Sequence, residues 1–177
     1  MTAITEPGIY ADLPEDVPPI AVPIEGGSVF IDAADLALVD GYRWRILHGH
    51  NGKRYAYDAH RSVYMHRLIA GTPAGFETDH RNGEGLDNRR ANLRVATPGQ
   101  NRANAGKPKR PDGARHTSRF KGVSWDRARG RWQAKITVDG QCRNLGRYDD
   151  EAAAARAYND AALLAWGEFA RLNEVGS

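Results

Sequence analysis

Cysteine is all but missing from this chain: Cys142 stands alone among 177 residues. An intrachain disulfide and a cysteine-ligated zinc site are thereby excluded, and with them a secreted, disulfide-stapled fold. Equally absent is any apolar run near the roughly 18 residues of a membrane span. Residues 1–23 lack the basic start and apolar stretch of a signal peptide, so a cytoplasmic protein without a membrane partner is expected. A large net charge is missing too, since Lys+Arg 25 against Asp+Glu 22 leaves only +3. That average conceals a division of charge. Residues 1–60 hold 4 basic and 9 acidic side chains, a net of −5, whereas residues 81–148 hold 17 and 5, a net of +12. A cationic middle of this strength is a polyanion-binding footprint. The length of 177 residues accommodates one ordinary domain or two small ones.

The pattern along the chain favours two. Residues 1–23 carry five prolines and four acidic groups, a composition suited to an extended lead-in. Val29–Ile31 then reads as a strand and 32–39 as a short helix with Asp32 at its N-cap. Trp44 and Ile46 alternate with polar residues, as do Tyr55 and Tyr57 across the His50-Asn51-Gly52 turn, which predicts a hairpin. Residues 62–70 suit either a strand or a short helix. From 105 to 117, Gly, Pro and four Lys or Arg residues mark a basic linker, either a solvated spacer or a segment lying along phosphates. Beyond it, Phe120–Val123, Trp132–Val138 and Gln141–Leu145 are candidate strands, with turns at Arg129-Gly130 and Asp139-Gly140. An alanine-rich helix follows over 151–165, its start marked by Asp149, Asp150 and Glu151.

The residues that carry chemistry concentrate between His66 and Asn101. Glu77–His80 suits a short strand, Gly83 and Gly85 permit a loop, and Asn92–Ala96 alternates as a strand. Thr97-Pro98 is an N-cap followed by proline at the first helical position, so a helix begins there with Asn101 in its first turns. The unit is strand, loop, strand, helix. On it, Asp79 and Asn101 offer the oxygen ligands that suit Mg²⁺ or Mn²⁺. His80 titrates near neutrality and can take a proton from water. The amide carbonyl of Asn92 could hold the other ring nitrogen and so fix the tautomer. These are the parts of metal-assisted phosphodiester hydrolysis.

In order and spacing, His66-Arg67, Asp79-His80, Gly83, Asp87-Asn88, Asn92-Leu93-Arg94, Thr97 and Asn101 resemble the HNH endonucleases of phage and intron-encoded homing type. The segment from Ile24 to Trp44 is similar to that family's lead-in. The resemblance implies a ββα-metal nuclease domain over 24–104, with its ββα core at about 77–105. It further implies one divalent metal on Asp79 and Asn101, His80 as general base and Asn92 orienting it. His66 is left with three roles: support of the fold, contact with a phosphate, or chemistry. Asn88 is read as shaping the loop. No structural zinc is implied, because the paired cysteines of zinc-stapled relatives are lacking.

A second resemblance covers 118–174. Residues 118–125, 131–136, 144–148, 151–159 and 167–173 are similar to the plant apetala2/ethylene-response-factor (ERF) DNA-binding domain. It implies a three-stranded antiparallel sheet that enters the major groove with one helix packed behind it. By position, Lys121, Trp125, Arg127, Arg129, Arg131, Lys135 and Arg143 would face DNA, and Lys107, Lys109 and Arg110 of the linker would track phosphates. Alternation supports the middle strand independently, for Arg131, Gln133 and Lys135 interleave with Trp132, Ala134 and Ile136. Trp132 is assigned to the core against the helix, and Gly167, Phe169 and Leu172 to a cover over the sheet edge. The expected protein is thus an α+β, metal-dependent endonuclease of a phage or mobile element, acting on double-stranded DNA in a bacterial or infected host cell. It would be a monomer or weak dimer that nicks, leaving 5′-phosphate and 3′-hydroxyl ends. The alternative is a DNA-binding protein carrying an inert HNH remnant.

Overall fold

A computed structural model describes residues 18–49, 52–107 and 117–176. Lys109 and Arg110, most of the basic linker, and residues 1–17 of the expected lead-in lie outside them. The first strand nevertheless starts inside the segment read as lead-in: β1 (Ile20–Ile24) pairs antiparallel with β2 (Gly27–Ile31). Proline at 23 is tolerated because this two-stranded ribbon leaves an unpaired edge. A 3-10 turn (Ala33–Asp35) and α1 (Leu36–Val39) follow. Asp32 does not cap them with its side chain; its carboxylate instead accepts the backbone N–H of Arg90 at 2.7 Å.

β3 (Trp44–His48) and β4 (Arg54–Asp58) form the expected hairpin, with Trp44 opposite Asp58 and Ile46 opposite Ala56. The ambiguous stretch 62–70 divides into β5 (Val63–Tyr64), paired to β4, and α2 (Met65–Ala70). β6 (Glu77–His80) and β7 (Leu93–Ala96) pair antiparallel around the 81–92 loop. α3 (Pro98–Asn104) then starts as the sequence predicts, in a full capping box between Thr97 and Gln100. Val29, Ile31, Trp44, Met65, Ile69 and Leu93 share one buried cluster, so β2, β3, α2 and β7 close over a single core.

The C-terminal module has its own core. β8 (Val123–Asp126), β9 (Arg131–Val138) and β10 (Gln141–Tyr148) form a sheet in the order β10-β9-β8, backed by α4 (Glu151–Trp166). β8 begins three residues later than Phe120–Val123 would suggest, because Gly122 has a φ of 75° that no strand residue adopts. Asp150 caps α4 through its carboxylate, which accepts the Ala153 N–H at 2.9 Å. Ala134, Ile136, Ala154, Ala155, Tyr158 and Ala162 are buried between sheet and helix. The segment after α4 returns beside the start of β8, where Asn173 is hydrogen-bonded to the backbone of Lys121 and Val175 packs against the buried cluster that includes Phe120 and Val123. Gly167–Phe169 forms a 3-10 turn whose Phe169 ring lies under the guanidinium of Arg94 on β7. No helix among the described residues is long and apolar enough to cross a membrane.

Candidate functional site

Alternation along β6 sorts its side chains onto two sides. Asp79 lies opposite Arg94 of β7, so the two share a face, and Arg94 Nε donates to Asp79 Oδ2 at 2.7 Å. The side chain of Asn104 on α3 reaches the same carboxylate, with Nδ2 2.8 Å from Asp79 Oδ1. Asn101, expected beside Asp79, makes its hydrogen bond one step along the strand, where Nδ2 donates to Glu77 Oε2 at 2.5 Å. The reason is helical phase: Asn101 and Asn104 are three residues apart on one face of α3, and Glu77 and Asp79 are two apart on one face of β6. The amide carbonyl of Asn101 accepts no hydrogen bond among the described residues.

His80 points the other way, into an aromatic pocket. Its Nε2 lies 3.1 Å from Asn88 Oδ1. With the Asn88 amide oxygen turned to the ring, Nε2 carries the proton and Nδ1 is left as the basic nitrogen, while Asn88 Nδ2 is itself buried without a hydrogen-bond partner. Asn92, expected in this orienting role, is used elsewhere: its Oδ1 accepts the Asn82 N–H at 3.0 Å and its Nδ2 donates to Asp87 O at 2.7 Å. It therefore ties together the two ends of the 82–92 loop. The loop is in turn fixed to β2, where Phe30 N donates to Leu86 O and Asn88 N donates to Phe30 O at 2.9 and 2.7 Å. The Arg90 guanidinium pairs with the buried carboxylate of Asp35 at 2.6 Å. Asn88 is thus delivered to His80 by β2, a partner nearly 60 residues upstream.

His66 of α2 stands beside His80, with ring centroids 5.1 Å apart, and stacks on Tyr64 at 5.2 Å. Burial, aided by the neighbouring His80 and Arg67, pushes its pKa down to about 3, and its Nδ1 is buried without a hydrogen-bond partner. Burial also lowers the pKa of His80, against the opposing effect of the Asn88 hydrogen bond. The two imidazoles are therefore neutral neighbours near pH 7. Tyr55 completes the pocket, 5.4 Å from His66 and 6.1 Å from His80. Its hydroxyl pKa is raised by burial first and then by the electrostatic influence of Tyr64, Asp79 and Glu77. Gly85 admits this ring, since a Cβ there would lie 2.3 Å from Arg54 O and 2.6 Å from Tyr55 Cδ1. Among the described residues no three His, Cys, Asp or Glu side chains converge as a metal cluster.

The sheet of the second module shows how its cations are distributed. Cross-strand partners share a face. Lys135 lies opposite Asn144, and Gln133 opposite Arg147, on the side away from α4. Arg143 lies opposite the buried Ile136 and so falls on the other face, because Leu145 is a bulge that shifts the register of β10. Arg127, Lys135 and Arg143 are exposed. Arg129 and Arg131 are exposed but paired, with Asp126 at 3.5 Å and Asp149 at 3.0 Å. Trp125, partly exposed, packs edge-on against Trp132 at 5.0 Å. Two lysines expected to face DNA are turned inward. Lys121 Nζ donates to the carbonyls of Ala103 and Ala105 at the end of α3, and burial lowers its pKa to about 8. Lys107 Nζ donates to Ser118 O, Phe120 O and Val123 O at 2.8–3.1 Å. Both satisfy carbonyls left open by a helix end or a turn, so their charge reads as phosphate-seeking in the sequence and is structural in the fold.

The chain is 27% identical over 156 residues to an uncharacterized HNH endonuclease of Acanthamoeba polyphaga mimivirus, an alignment covering 85% of this chain and 77% of the relative. It is 34% identical over 99 residues to Protein 3.8 of Escherichia phage T7, covering 56% of this chain and 77% of the phage protein. It is also 44% identical over 59 residues to an AP2-like ethylene-responsive transcription factor of Arabidopsis thaliana, covering 33% of this chain and only 19% of the plant protein. No family model and no solved structure matches the chain. With that level of identity over more than three quarters of the phage protein, the chain belongs to the family of phage T7 Protein 3.8.

Proposed function

We propose that this protein is a metal-dependent HNH endonuclease that hydrolyses a phosphodiester bond of double-stranded DNA, nicking at a site chosen by its C-terminal module. The observation that carries the reading is the division of labour across β6. Asp79 faces α3 with Asn101 and Asn104, while the adjacent His80 enters a separate pocket with its Nε2 held by Asn88. Likeness to a viral protein named as an HNH endonuclease and to plant transcription factors supports the same reading.

The donor chemistry fits a hard dication. A carboxylate has about four lone-pair sites, so Asp79 can accept from Arg94 and Asn104 and still bind an ion. Glu77 holds the Asn101 amide N–H₂, which leaves the carbonyl oxygen as a second hard donor. One Mg²⁺ or Mn²⁺ on Asp79 and Asn101 would neutralise charge on the scissile phosphate and its leaving oxygen. The protein's own residues do the rest. Asn88 keeps the His80 proton on Nε2, so Nδ1 can take a proton from the attacking water. Neutral His66 and Tyr55 wall the pocket and limit the water around that base. The exposed Arg127 and Lys135 supply charge for the DNA backbone.

Incubation of supercoiled plasmid carrying candidate sites with Mg²⁺ or Mn²⁺ tests the reading: open circles should accumulate with the metal and none should form in EDTA. Binding without cleavage under either metal would leave a DNA-binding protein and no enzyme. The orientation of the lysines gives a second expected result. Lys135→Ala should lower the slope of log K against log salt by about 0.9, the contribution of one phosphate contact. Lys121→Ala should leave that slope unchanged and lower the melting temperature instead, because its ammonium holds carbonyls of α3.

A further inference from the structure

The two modules meet at the nuclease hairpin, and the contact is electrostatic. Arg94 Nη2 lies 2.7 Å from Asp79 Oδ2, while Nη1 donates to Glu168 O at 2.8 Å and stands 3.5 Å from Glu168 Oε2. The guanidinium also covers Phe169 at 4.0 Å, and the side chain is only 8% exposed. Arg81, next to His80, pairs with Glu168 Oε2 at 2.6 Å. The segment that carries Glu168 is anchored on both sides. Arg171 N donates to Ala103 O of α3, and Asn173 is hydrogen-bonded to the backbone of Lys121 and exchanges hydrogen bonds with Asn159 on α4. One nearly buried cation is therefore shared between a carboxylate of the nuclease hairpin and a carboxylate of the C-terminal module.

We propose that Glu168 is a positioning residue for cleavage: by sharing the charge of Arg94, it keeps Asp79 able to hold a dication. The inference rests on the nuclease reading above. Its sign follows from electrostatics. With Glu168 neutralised, Asp79 becomes the principal counter-charge of Arg94, and an incoming dication must compete with a more tightly held resident cation. The C-terminal module then contributes to the chemistry as well as to the choice of site. If Glu168 were only a docking contact, its loss would lower cleavage without changing the affinity for the dication.

The test is a double-mutant cycle in the full chain with Mn²⁺ as the probe. Manganese affinity is read from the electron paramagnetic resonance of free Mn²⁺, alongside single-turnover nicking of plasmid, for wild type, Glu168→Gln, Arg94→Gln and the pair. Glu168→Gln keeps the shape and the backbone carbonyl that Arg94 uses. It should weaken Mn²⁺ binding about threefold to fivefold, in the range of a partly exposed ion pair. The cleavage deficit should vanish at saturating Mn²⁺, a rescue that undocking would not show. In the Arg94→Gln background the same change should have no effect. Arg94→Lys, which keeps a cation but cannot span both carboxylates, serves as a second background where the effect should also shrink. An unchanged Mn²⁺ affinity in Glu168→Gln, or an equal loss in every background, overturns the inference while wild-type nicking stands. Wild type that neither binds Mn²⁺ nor nicks overturns the nuclease reading itself, and this inference with it.

Discussion

His80→Ala should slow nicking of supercoiled plasmid by about 10²- to 10⁴-fold, the usual contribution of a positioned general base. DNA affinity should stay close to that of wild type, since His80 is 6% exposed and faces the aromatic pocket. The size of the effect follows from how completely the site commits to this ring. Asn88 fixes its protonation pattern, burial lowers its pKa so that the basic form prevails at neutral pH, and His66, its pKa pushed down to about 3, is too weak a base to substitute. His66 cannot take over from its own position, because its ring belongs to α2 and stacks on Tyr64. Rates should be measured with enzyme in excess, so that product release does not mask the chemical step, and at saturating Mn²⁺. Full activity in His80→Ala would remove His80 from the reaction and leave Asp79 without a base beside it.

The frame of this site was legible because it rests on local signals. Thr97-Pro98 with Gln100 specifies a helix start from four consecutive residues, and the capping box forms as those residues require. Asp79 and His80, as neighbours on a strand, were bound to face opposite sides wherever the strand lay. The choice between Asn88 and Asn92 was not legible, because both amides can accept from an imidazole. That choice was made by β2, which grips Leu86 and Asn88 through Phe30. The same limit explains the lysines. A count of charges shows where cations are concentrated, but Lys107 and Lys121 are drawn inward by carbonyls that exist only once α3 and the 118–123 turn have formed. Glu168 lies 74 residues from Arg94, beyond any pattern of spacing. β1 was hidden by its proline-rich surroundings, and the start of β8 was displaced by the conformation of Gly122.

Gly122 is also where a single methyl group should do most damage to the fold. Its φ is 75°, and an added Cβ would lie 2.0 Å from Tyr158 Cδ2 and 2.7 Å from Lys135 O. Neither neighbour can retreat. Tyr158 is 3% exposed in the layer between α4 and the sheet, and the backbone of Lys135 is hydrogen-bonded to Gly122 O at 2.8 Å. The left-handed backbone costs a non-glycine residue about 1–2 kcal/mol and the overlap about 1–3 kcal/mol more. Gly122→Ala should therefore destabilise the C-terminal module by about 2–5 kcal/mol, against a total of roughly 3–8 kcal/mol for a module of this length. Gly130→Ala isolates the backbone cost, because Gly130 has a φ of 60° with nothing within 4 Å of its Cβ position. In thermal melts and limited proteolysis, Gly122→Ala should lose the C-terminal module at temperatures where Gly130→Ala retains it. Equal melting of the two would show that the contact with Tyr158 yields. If the module does unfold, the loss should extend beyond DNA affinity. Glu168 and Phe169 would leave Arg94 together, and single-turnover cleavage at limiting Mn²⁺ should fall with the module, although Gly122 belongs to neither the hairpin nor α3.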